Sequence, residues 1–386
     1  MNSASLDSHY RMRITSSLSD IGKNQWDALL STQTKPNPFL SYTFLDALHE
    51  SGSASEATGW TPCFLSIWEA DELIAAMPLY EKAHSYGEYV FDWAWAEAYH
   101  RHGLPYYPKL LSAIPFSPVT GNRLLAKNAH ARHLLVQLLN KIQETNRFSS
   151  SHILFPTEDE ATVLQENGYM LRKGVQFHWI NQGYQDFDDF LASLDQKKRK
   201  NIRAERRKVA EAGIRFQHVK GEEASAEDWA YFKRCYDTTY REHHSSPYLN
   251  LSFFLQIGKQ MPEHIHLIFA EHEGIRIAAS LLIYDEKTVY GRYWGCTENY
   301  PCLHFETAYY QSIEFCINQD IQIFEGGAQG EHKMARGFLP QQTWSAHYIH
   351  ETGFADAVSR FLERESVGVE QYIDELLERN PYKSSM

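Results

Sequence analysis

Chemically versatile side chains follow a glycine-rich stretch in the C-terminal part of the sequence. Glu325 ends a short alternating apolar run that predicts a buried strand, and Gly326 and Gly327 come directly after it. Behind the glycines stands a mixed set of side chains: Glu331, His332, Lys333 and Arg336. Glycines leave the backbone open to a ligand, and this set can move a proton and hold an anion. We therefore predict a catalytic site here, with a solvated tight loop as the alternative.

A predicted helix at 196–212 concentrates positive charge. Its cations are Lys197, Lys198, Arg199, Lys200, Arg203, Arg206, Arg207 and Lys208. At about 100° per residue, all but Lys198 lie on an arc of roughly 200°, and Ile202 and Val209 lie opposite. Glu205 is nearly the only acid in this run, so repulsion between like charges favours a polyanionic partner over a solvated face. Phosphates of a nucleotide, a coenzyme, a lipid-linked sugar or tRNA would all serve.

Aromatic and charged residues alternate after a predicted strand at 86–95. They are Asp92, Trp93, Trp95, Glu97, His100, Arg101, His102, Tyr106, Tyr107 and Lys109. Rings supply flat apolar area and polar groups fix orientation, so the stretch suits a peptide or sugar ligand. The alternative is that Trp93 and Trp95 are core residues with a charged rim.

Metal binding and disulfides are not indicated. The pairs His100-x-His102 and His264-x-His266 each supply two imidazoles, whereas a tetrahedral site requires three or four ligands. Five cysteines form no CxxC pair and no even framework. We predict no metal and free thiols, as in a reducing compartment.

Length and charge limit the class of protein. At 386 residues the chain is long enough for about two or three domains. A formal net charge of -12 argues against a general nucleic-acid coat protein but leaves room for a local basic patch. Since no apolar run spans a bilayer and residues 1–13 lack a signal-peptide core, we predict a cytoplasmic protein without a membrane span.

An α/β unit is repeated along the sequence. Hairpins are predicted at 63–80 and 264–284, each followed by a third strand, at 86–95 and 289–295, then by a helix and a strand. The matched words are Ile74-Ala75-Ala76 with Ile277-Ala278-Ala279, Tyr86-Gly87-Glu88-Tyr89 with Tyr290-Gly291-Arg292-Tyr293, and His178-Trp179-Ile180 with His347-Tyr348-Ile349. We predict a duplicated unit, with each copy a mixed β-sheet covered by helices. The predicted domains are 1–182 and 183–386, the second holding the basic helix and two C-terminal helices, 354–365 and 369–378.

Several of these features together resemble a known family. The pattern Lys-Lys-Arg-Lys-Asn-Ile-Arg at 197–203, the tandem α/β units and the segments 91–96 and 325–333 are similar to the FemAB-like N-acyltransferases. These form a bacterial group in the GNAT superfamily that is associated with peptidoglycan biosynthesis or recognition. The resemblance covers about Asn37 to Glu351.

The resemblance implies two GNAT-like domains and transfer of an acyl or aminoacyl group to an amine. Glu325 or His332 would accept a proton, Lys333 or Arg336 would stabilise oxyanion or phosphate charge, and Asp92 is a further catalytic candidate. The donor's phosphates would bind to Lys197, Lys198, Arg199, Lys200, Asn201, Arg203, Arg207, Gly326, Gly327 and Arg336. The acceptor would bind to Trp93, Trp95, Glu97, His100, Tyr106 and Tyr107.

The resemblance leaves the donor open between acyl-CoA and aminoacyl-tRNA, and implies no tightly bound cofactor. A muropeptide or small-molecule acceptor is expected, with tRNA as a further partner. The loops at 95–107 and 295–304 lack the Gln/Arg-x-x-Gly-x-Gly/Ala pattern that cradles a coenzyme pyrophosphate, which argues against acetyl-coenzyme A. The alternatives are a non-catalytic GNAT-like protein that binds a phosphorylated cell-wall precursor or RNA, and a structural partner protein.

Overall fold

A computed structural model describes residues 9–327 and 330–383. The chain forms two compact units. The first unit runs to Gly174 and takes in Thr343–Glu370, and the second unit consists of Val175–Gln342 and the chain from Gln371.

The first unit contains most of the N-terminal strands and helices. They are β1 (Tyr10–Thr15), α1 (Lys23–Ser31), α2 (Tyr42–Glu50), β2 (Trp60–Pro62), β3 (Phe64–Glu69), β4 (Glu72–Met77), β5 (Tyr80–Lys82), α3 (Trp93–Arg101), β6 (Lys109–Ser112), β7 (Leu125–Ala126), α4 (Ala129–Asn146), β8 (Ser150–Leu154), α5 (Glu158–Glu166) and the start of β9 (Met170–Ile180).

The predicted hairpin in this unit forms an antiparallel sheet of order β1-β3-β4-β7. The apolar side chains of β3 and β4 pack against one face of α4, which buries Leu135 and Leu139 four residues apart. A second set of strands continues from β2 through β5 and β6 to β8, and β6 and β8 run parallel.

The second unit contains the basic helix and the glycine-rich loop. Its elements are α6 (Phe187–Ser193), α7 (Gln196–Glu211), β10 (Arg215–Lys220), α8 (Ala226–Glu242), α9 (Leu251–Gln260), β11 (Ile265–His272), β12 (Ile275–Tyr284), β13 (Thr288–Cys296), α10 (Leu303–Phe305), a π-helical turn (Glu306–Tyr310), α11 (Gln311–Asn318), β14 (Ile323–Glu325), a 3-10 helix (Glu331–Arg336), and parts of β15 (Leu339–Ile349) and α12 (Thr352–Glu378).

A mixed sheet of order β10-β11-β12-β13-β14-β9 organises this unit. Strands β10 to β13 are antiparallel neighbours, β14 runs parallel to β13, and β14 is antiparallel to the end of β9. Phe324 of β14 lies in an apolar core with Trp179, Phe190 and Ile313. The core therefore fixes the strand that leads into the glycine-rich loop.

The last strand of each repeat pairs with a strand of the other unit. Strand β9, from the first repeat, pairs with β14 in the second unit, and β15, from the second repeat, pairs with β8 in the first unit. Residues 343–370 therefore lie in the first unit, whereas the sequence analysis assigned all of 183–386 to one C-terminal domain. The exchange was not visible in the sequence. Each strand has 11 residues, and its apolar pattern does not indicate which of the two sheets it joins.

Two predicted elements were wrong. The strand predicted at 86–95 is a loop followed by helix α3, because Trp95 and Tyr99 lie four residues apart and bury one helical face against Tyr106, Val358 and Leu362. The two helices predicted at 354–365 and 369–378 are the single helix α12. Gly368 lies within this helix, and no atom lies within 4 Å of the position that a Cβ would occupy there.

The basic helix was predicted correctly. It is α7, with Ile202 and Val209 buried on one side and Gly213, at φ 75°, just beyond its C-cap. In the part of the chain that the structure describes, no helix combines the length and apolar character needed to cross a membrane.

Candidate functional site

The end of strand β14 places a carboxylate in the interior of the second unit. Glu325 is 1% exposed, and in the strand register it lies opposite His178 of β9 and beside Tyr290 of β13. Arg292, also on β13 and buried, brings its Nη2 to 3.7 Å from Glu325 Oε2. The two buried groups of opposite charge thus lie within ion-pair distance.

Glycine is required directly after this strand. Gly327 adopts φ 88°, in the left-handed region that other residues rarely occupy. Its carbonyl accepts a hydrogen bond from Lys333 Nζ at 3.1 Å. Ala328 and Gln329, which belong to the predicted glycine-rich motif, lie outside the described residues. Lys333 thus points at the backbone that follows Glu325.

Lys333 is a buried lysine with an unusual protonation equilibrium. It lies in the 3-10 helix Glu331–Arg336 and is 3% exposed. Burial and the nearby Arg292 guanidinium lower the pKa of Lys333 to about 7. Near neutral pH the amine is therefore present in both forms, one able to accept a proton and the other able to stabilise an anion.

His332 is exposed, unlike Lys333 and Arg336. Its Nε2 lies 3.2 Å from the hydroxyl of Tyr309, and its ring packs against Gly330. Burial, Lys333 and Arg336 lower the pKa of His332, so the imidazole is neutral near pH 7.

Arg336 connects the loop to the basic helix. Its Nη2 donates to both carboxylate oxygens of Glu205 on α7, at 2.9 and 3.0 Å, and its guanidinium stacks 3.4 Å from the ring centroid of Phe305. Tyr310 also donates to Glu205. The acid that the sequence analysis noted within the basic run therefore holds the helix against the loop.

The cations of α7 divide into paired and solvent-facing groups. Arg206 forms ion pairs with Glu306 and Glu314, so it fixes the helix to the unit. Arg203 and Arg207 have side chains 57% and 68% exposed and make single ion pairs at the surface. The predicted phosphate ligands that are exposed are Lys197, Lys200, Asn201, Arg203 and Arg207, and Lys198 and Arg199 are half-buried. The helix therefore has the predicted cationic face, but Arg206 does not belong to it.

Four residues that contact the site were not predicted as site residues. Arg292 contacts Glu325, and Glu306, Tyr309 and Tyr310 reach α7 or His332 from one π-helical turn. Arg206 and Glu306 are 100 residues apart, so no local pattern joins them. The isolated acid Glu205 in a cationic run was the one sequence feature that pointed to these contacts.

The other predicted catalytic residue, Asp92, lies in the first unit. It precedes helix α3, is 3% exposed, and accepts hydrogen bonds from Lys109 and, at 2.7 Å, from Tyr106. Burial alone would raise the pKa of Asp92, but Lys109 and His152 together hold it well below its usual range. Its catalytic role stays a prediction.

Histidines extend this network in the first unit. Tyr106 contacts His152 Nε2 at 3.2 Å, and His152 Nδ1 lies 2.7 Å from His347 Nδ1. Ser345 completes the chain at 2.8 Å from His347 Nε2. Burial lowers the pKa of His152 to about 3, so these imidazoles are neutral and hydrogen-bonded in the interior.

The predicted acceptor residues are only partly exposed. Trp95 belongs to an apolar core, as the alternative interpretation proposed for Trp93 and Trp95, and Tyr106 lies in the same core. Trp93 is 40% exposed, Glu97 and His100 are exposed on the same helix, and Tyr107 is half-buried. Trp93 packs edge-on against the exposed Tyr86, which was not predicted. Among residues 9–327 and 330–383, no three His, Cys, Asp or Glu side chains are grouped to hold a metal ion.

Comparisons with known proteins identify the family. The family model described as FemAB-like, peptidoglycan biosynthesis/recognition, matches residues 17–384. No curated protein matches the sequence. The crystal structure of FemX is similar with a TM-score of 0.55 and 11% identity, covering 87% of this chain and 98% of FemX.

Two further structures share the fold. The C-terminal domain of a putative lysylphosphatidylglycerol synthetase from Agrobacterium fabrum gives a TM-score of 0.54 at 10% identity, covering 89% of this chain and 96% of that one. L-PGS from Bacillus licheniformis gives 0.53 at 12% identity, covering 88% and 96%. The predicted α/β fold is confirmed over nearly the whole chain. The chain therefore belongs to the FemAB-like family of peptidoglycan biosynthesis and recognition.

Proposed function

We propose that the protein is a cytoplasmic N-acyltransferase that takes an acyl or aminoacyl group from a phosphate-containing donor. Aminoacyl-tRNA and acyl-CoA are the donor candidates, and an amine is the acceptor, with a cell-wall precursor such as a muropeptide as the leading candidate. The observation that carries the proposal is the Arg336–Glu205 ion pair, which fixes the exposed cations of α7 to the loop that holds Lys333.

The exposure of the side chains suggests which residues bind the donor and which take part in the reaction. Lys197, Lys200, Arg203 and Arg207 are exposed on one helix and suit the phosphates of the donor. Glu325 and Lys333 are buried behind the loop, where low polarity strengthens interactions with developing charge. Phosphate binding and chemistry would thus occur on adjoining parts of one unit.

Transfer requires a new C–N bond and loss of an ester or thioester bond. The neutral acceptor amine attacks the acyl carbon, and the carbonyl oxygen becomes an oxyanion in the tetrahedral intermediate. As the intermediate collapses, the C–O or C–S bond to the donor breaks. The proton lost by the amine passes to Glu325 or to neutral Lys333 and is returned to the leaving oxygen or sulfur.

The acceptor would use the exposed aromatics of the first unit. Trp93, with Tyr86 beside it, offers ring faces for sugar or peptide contacts, and Glu97 and His100 on the same helix can orient polar groups. Because Trp95 and Tyr106 are core residues, their contribution to acceptor binding would be indirect.

Charge reversal on α7 tests the phosphate-binding part of this proposal. Arg203→Glu with Arg207→Glu should weaken binding of tRNA or coenzyme A by about 10- to 100-fold. It should also lower the slope of log affinity against log salt by about 2, one for each lost phosphate contact. The control is Lys141→Glu with Arg360→Glu, which makes the same charge change at exposed positions of the first unit.

Titration at several salt concentrations measures both quantities. Equal losses in the test and control variants would mean that only net charge matters, and salt-independent binding would remove the phosphate-binding role of α7. Tight binding without turnover of any aminoacyl or acyl donor would favour the non-catalytic alternative.

A further inference from the structure

Tyr309 and His332 form a contact whose hydrogen-bond direction can be deduced. Tyr309 is 5% exposed, and its hydroxyl lies 3.2 Å from His332 Nε2. Burial raises the pKa of Tyr309 to about 12, so the phenol keeps its proton at physiological pH. A buried O–H that donates to nothing is costly, and among the described residues the acceptor in contact with this hydroxyl is His332 Nε2.

The direction of this bond fixes the imidazole tautomer. If Tyr309 donates to Nε2, that nitrogen carries the lone pair and the neutral ring must carry its proton on Nδ1. Burial lowers the pKa of His332, and Lys333 and Arg336, which flank it along the chain, lower it further, so the ring stays neutral. A protonated ring would have no acceptor to offer Tyr309.

Gly330 allows the backbone to lie close to the Cε1–Nδ1 side of the His332 ring. A Cβ at this position would lie 2.4 Å from His332 Cε1 and 2.7 Å from Nδ1, closer than atoms can approach. Gly330 also adopts φ 116°, which disfavours any other residue. The missing side chain thus lets the backbone pack against the ring, and because His332 is exposed, its Nδ1 can still meet a small polar group.

The π-helical turn explains why Tyr309 is held in place. Within Glu306–Tyr310, Glu306 bonds Arg206 and Tyr310 donates to Glu205, both on α7. Tyr309 lies between these two residues, in a turn that their bonds hold to the helix that Arg336 also contacts. Single π-turns inside helices often mark functional positions, because the extra residue re-aims neighbouring side chains.

We infer that His332 acts as a neutral hydrogen-bond donor through Nδ1–H to the acyl carbonyl oxygen, with Tyr309 as the positioning residue. This inference rests on the proposed acyl transfer and assigns one of its open roles. The N–H strengthens its bond as negative charge develops on the carbonyl oxygen, and no proton leaves the ring. Proton acceptance from the amine then belongs to Glu325 or Lys333 rather than to His332.

Nuclear magnetic resonance of ¹⁵N-labelled histidine tests the inference without any substrate. In the wild-type protein, His332 should show a protonated Nδ1 and an unprotonated Nε2. In Tyr309→Phe, the lost donor should shift the ring toward the Nε2–H tautomer and raise the pKa of His332, because the bond stabilises the neutral ring. Tyr300→Phe is the matched control, since Tyr300 contacts a different histidine, His272 Nδ1, at 3.1 Å.

The possible outcomes separate this inference from the proposed function. An Nε2–H tautomer in the wild type, or a tautomer that Tyr309→Phe leaves unchanged, overturns the donor role of His332. A protonated Nδ1 that depends on Tyr309 but not on Tyr300 supports it. Loss of salt-dependent binding to α7 would count against the proposed donor alone, because that measurement does not depend on the tautomer.

Discussion

Two buried lysines, one in each unit, lie in opposite electrostatic surroundings. Lys109 of the first unit and Lys333 of the second are 0% and 3% exposed. Burial would lower both pKa values, yet Glu88 and Asp92 raise that of Lys109, whereas Arg292 helps to lower that of Lys333 to about 7. Lys109 is thus surrounded by acids, whereas Lys333 has a cation beside it. A destabilised charge retained next to a glycine loop is typical of functional sites, whereas a compensated one is typical of structure.

The buried carboxylates Asp92 and Glu325 also lie in different surroundings. Asp92 is enclosed by Lys109, Tyr106 and the histidine chain that ends at Ser345. Glu325 also lies beside a cation, but the chain that follows it is a loop with an exposed histidine. Matched substitutions of the two acids should therefore change different properties.

The largest effect is expected at Glu325. Glu325→Gln keeps the size of the side chain but removes the base, so the rate of acyl transfer should fall by about 10²- to 10⁴-fold with little change in donor affinity. Single-turnover kinetics with a saturating donor measures this. Glu263→Gln, at an exposed position of the same unit, should keep the wild-type rate. A Glu325→Gln enzyme with normal turnover would exclude the carboxylate as the base.

The amide substitution of Asp92 should act on folding instead. Asp92→Asn leaves Lys109 with one fewer anionic partner in the interior, which should lower the free energy of unfolding by about 3–5 kcal/mol. Urea unfolding measures this, with Asp159→Asn on exposed positions of α5 as the control. The folded variant should retain its kcat. Normal stability with lost turnover would instead support the catalytic role that the sequence predicted for Asp92.

Removing the lysines should change stability in opposite directions. Lys333 has a folded pKa of about 7 and an unfolded value of about 10.4, so between these values the unfolded state binds more protons and stability rises with pH. Below pH 7 Lys333 is charged in both states, so the full cost of burying its charge lowers the stability of the folded protein. Lys333→Met should therefore stabilise the protein by about 2–4 kcal/mol at pH 6, with the gain vanishing near pH 10.

Lys109→Met is the comparison for this measurement. It leaves Glu88 and Asp92 buried without their cation, so it should destabilise at pH 6 and at pH 8. Thermal unfolding as a function of pH records both variants. If both lysine variants lose stability, the contrast between the two regions is wrong.

The smallest effect separates the roles of His332. An asparagine amide can place an N–H near the position of Nδ1, so His332→Asn should keep the transfer rate within about 10-fold of the wild type if the imidazole is a donor. His332→Ala removes the donor and should cost about 10- to 100-fold. Steady-state kinetics at constant pH compares the two. Equal loss in both variants would indicate a base or a purely structural residue.

The elements whose signals are local were predictable from the sequence. Helix α7 was predicted from its cationic arc, with Ile202 and Val209 on the buried side, and Gly213 from its position after the helix. Strand β14 and the loop after it followed from an apolar run and three glycines. Each of these patterns expresses a physical preference of neighbouring residues, so no distant contact was needed to find them.

The parts that failed depend on distant contacts. Helix α3 was mistaken for a strand because Phe91, Trp93 and Trp95 alternate, although burial of Trp95 with Tyr99 gives the helical spacing. The partners of Arg206 and Arg336 lie 100 and 131 residues away, so the charges appeared unrelieved in the sequence. Tyr309 and Tyr310 contact the site only because a π-turn rotates both, and no composition signal marks such a turn.

The exchange of last strands has a consequence for how the protein is synthesised. In the first unit, β8 pairs with β15, and the His152–His347 contact joins residues 195 positions apart. The ribosome therefore releases nearly the whole of the second repeat before the first unit can receive its last strand. N-terminal domains usually fold while the rest of the chain is still being made. Here the unit that begins first is completed late, and until then the edge of β8 is exposed to mispairing with other nascent chains.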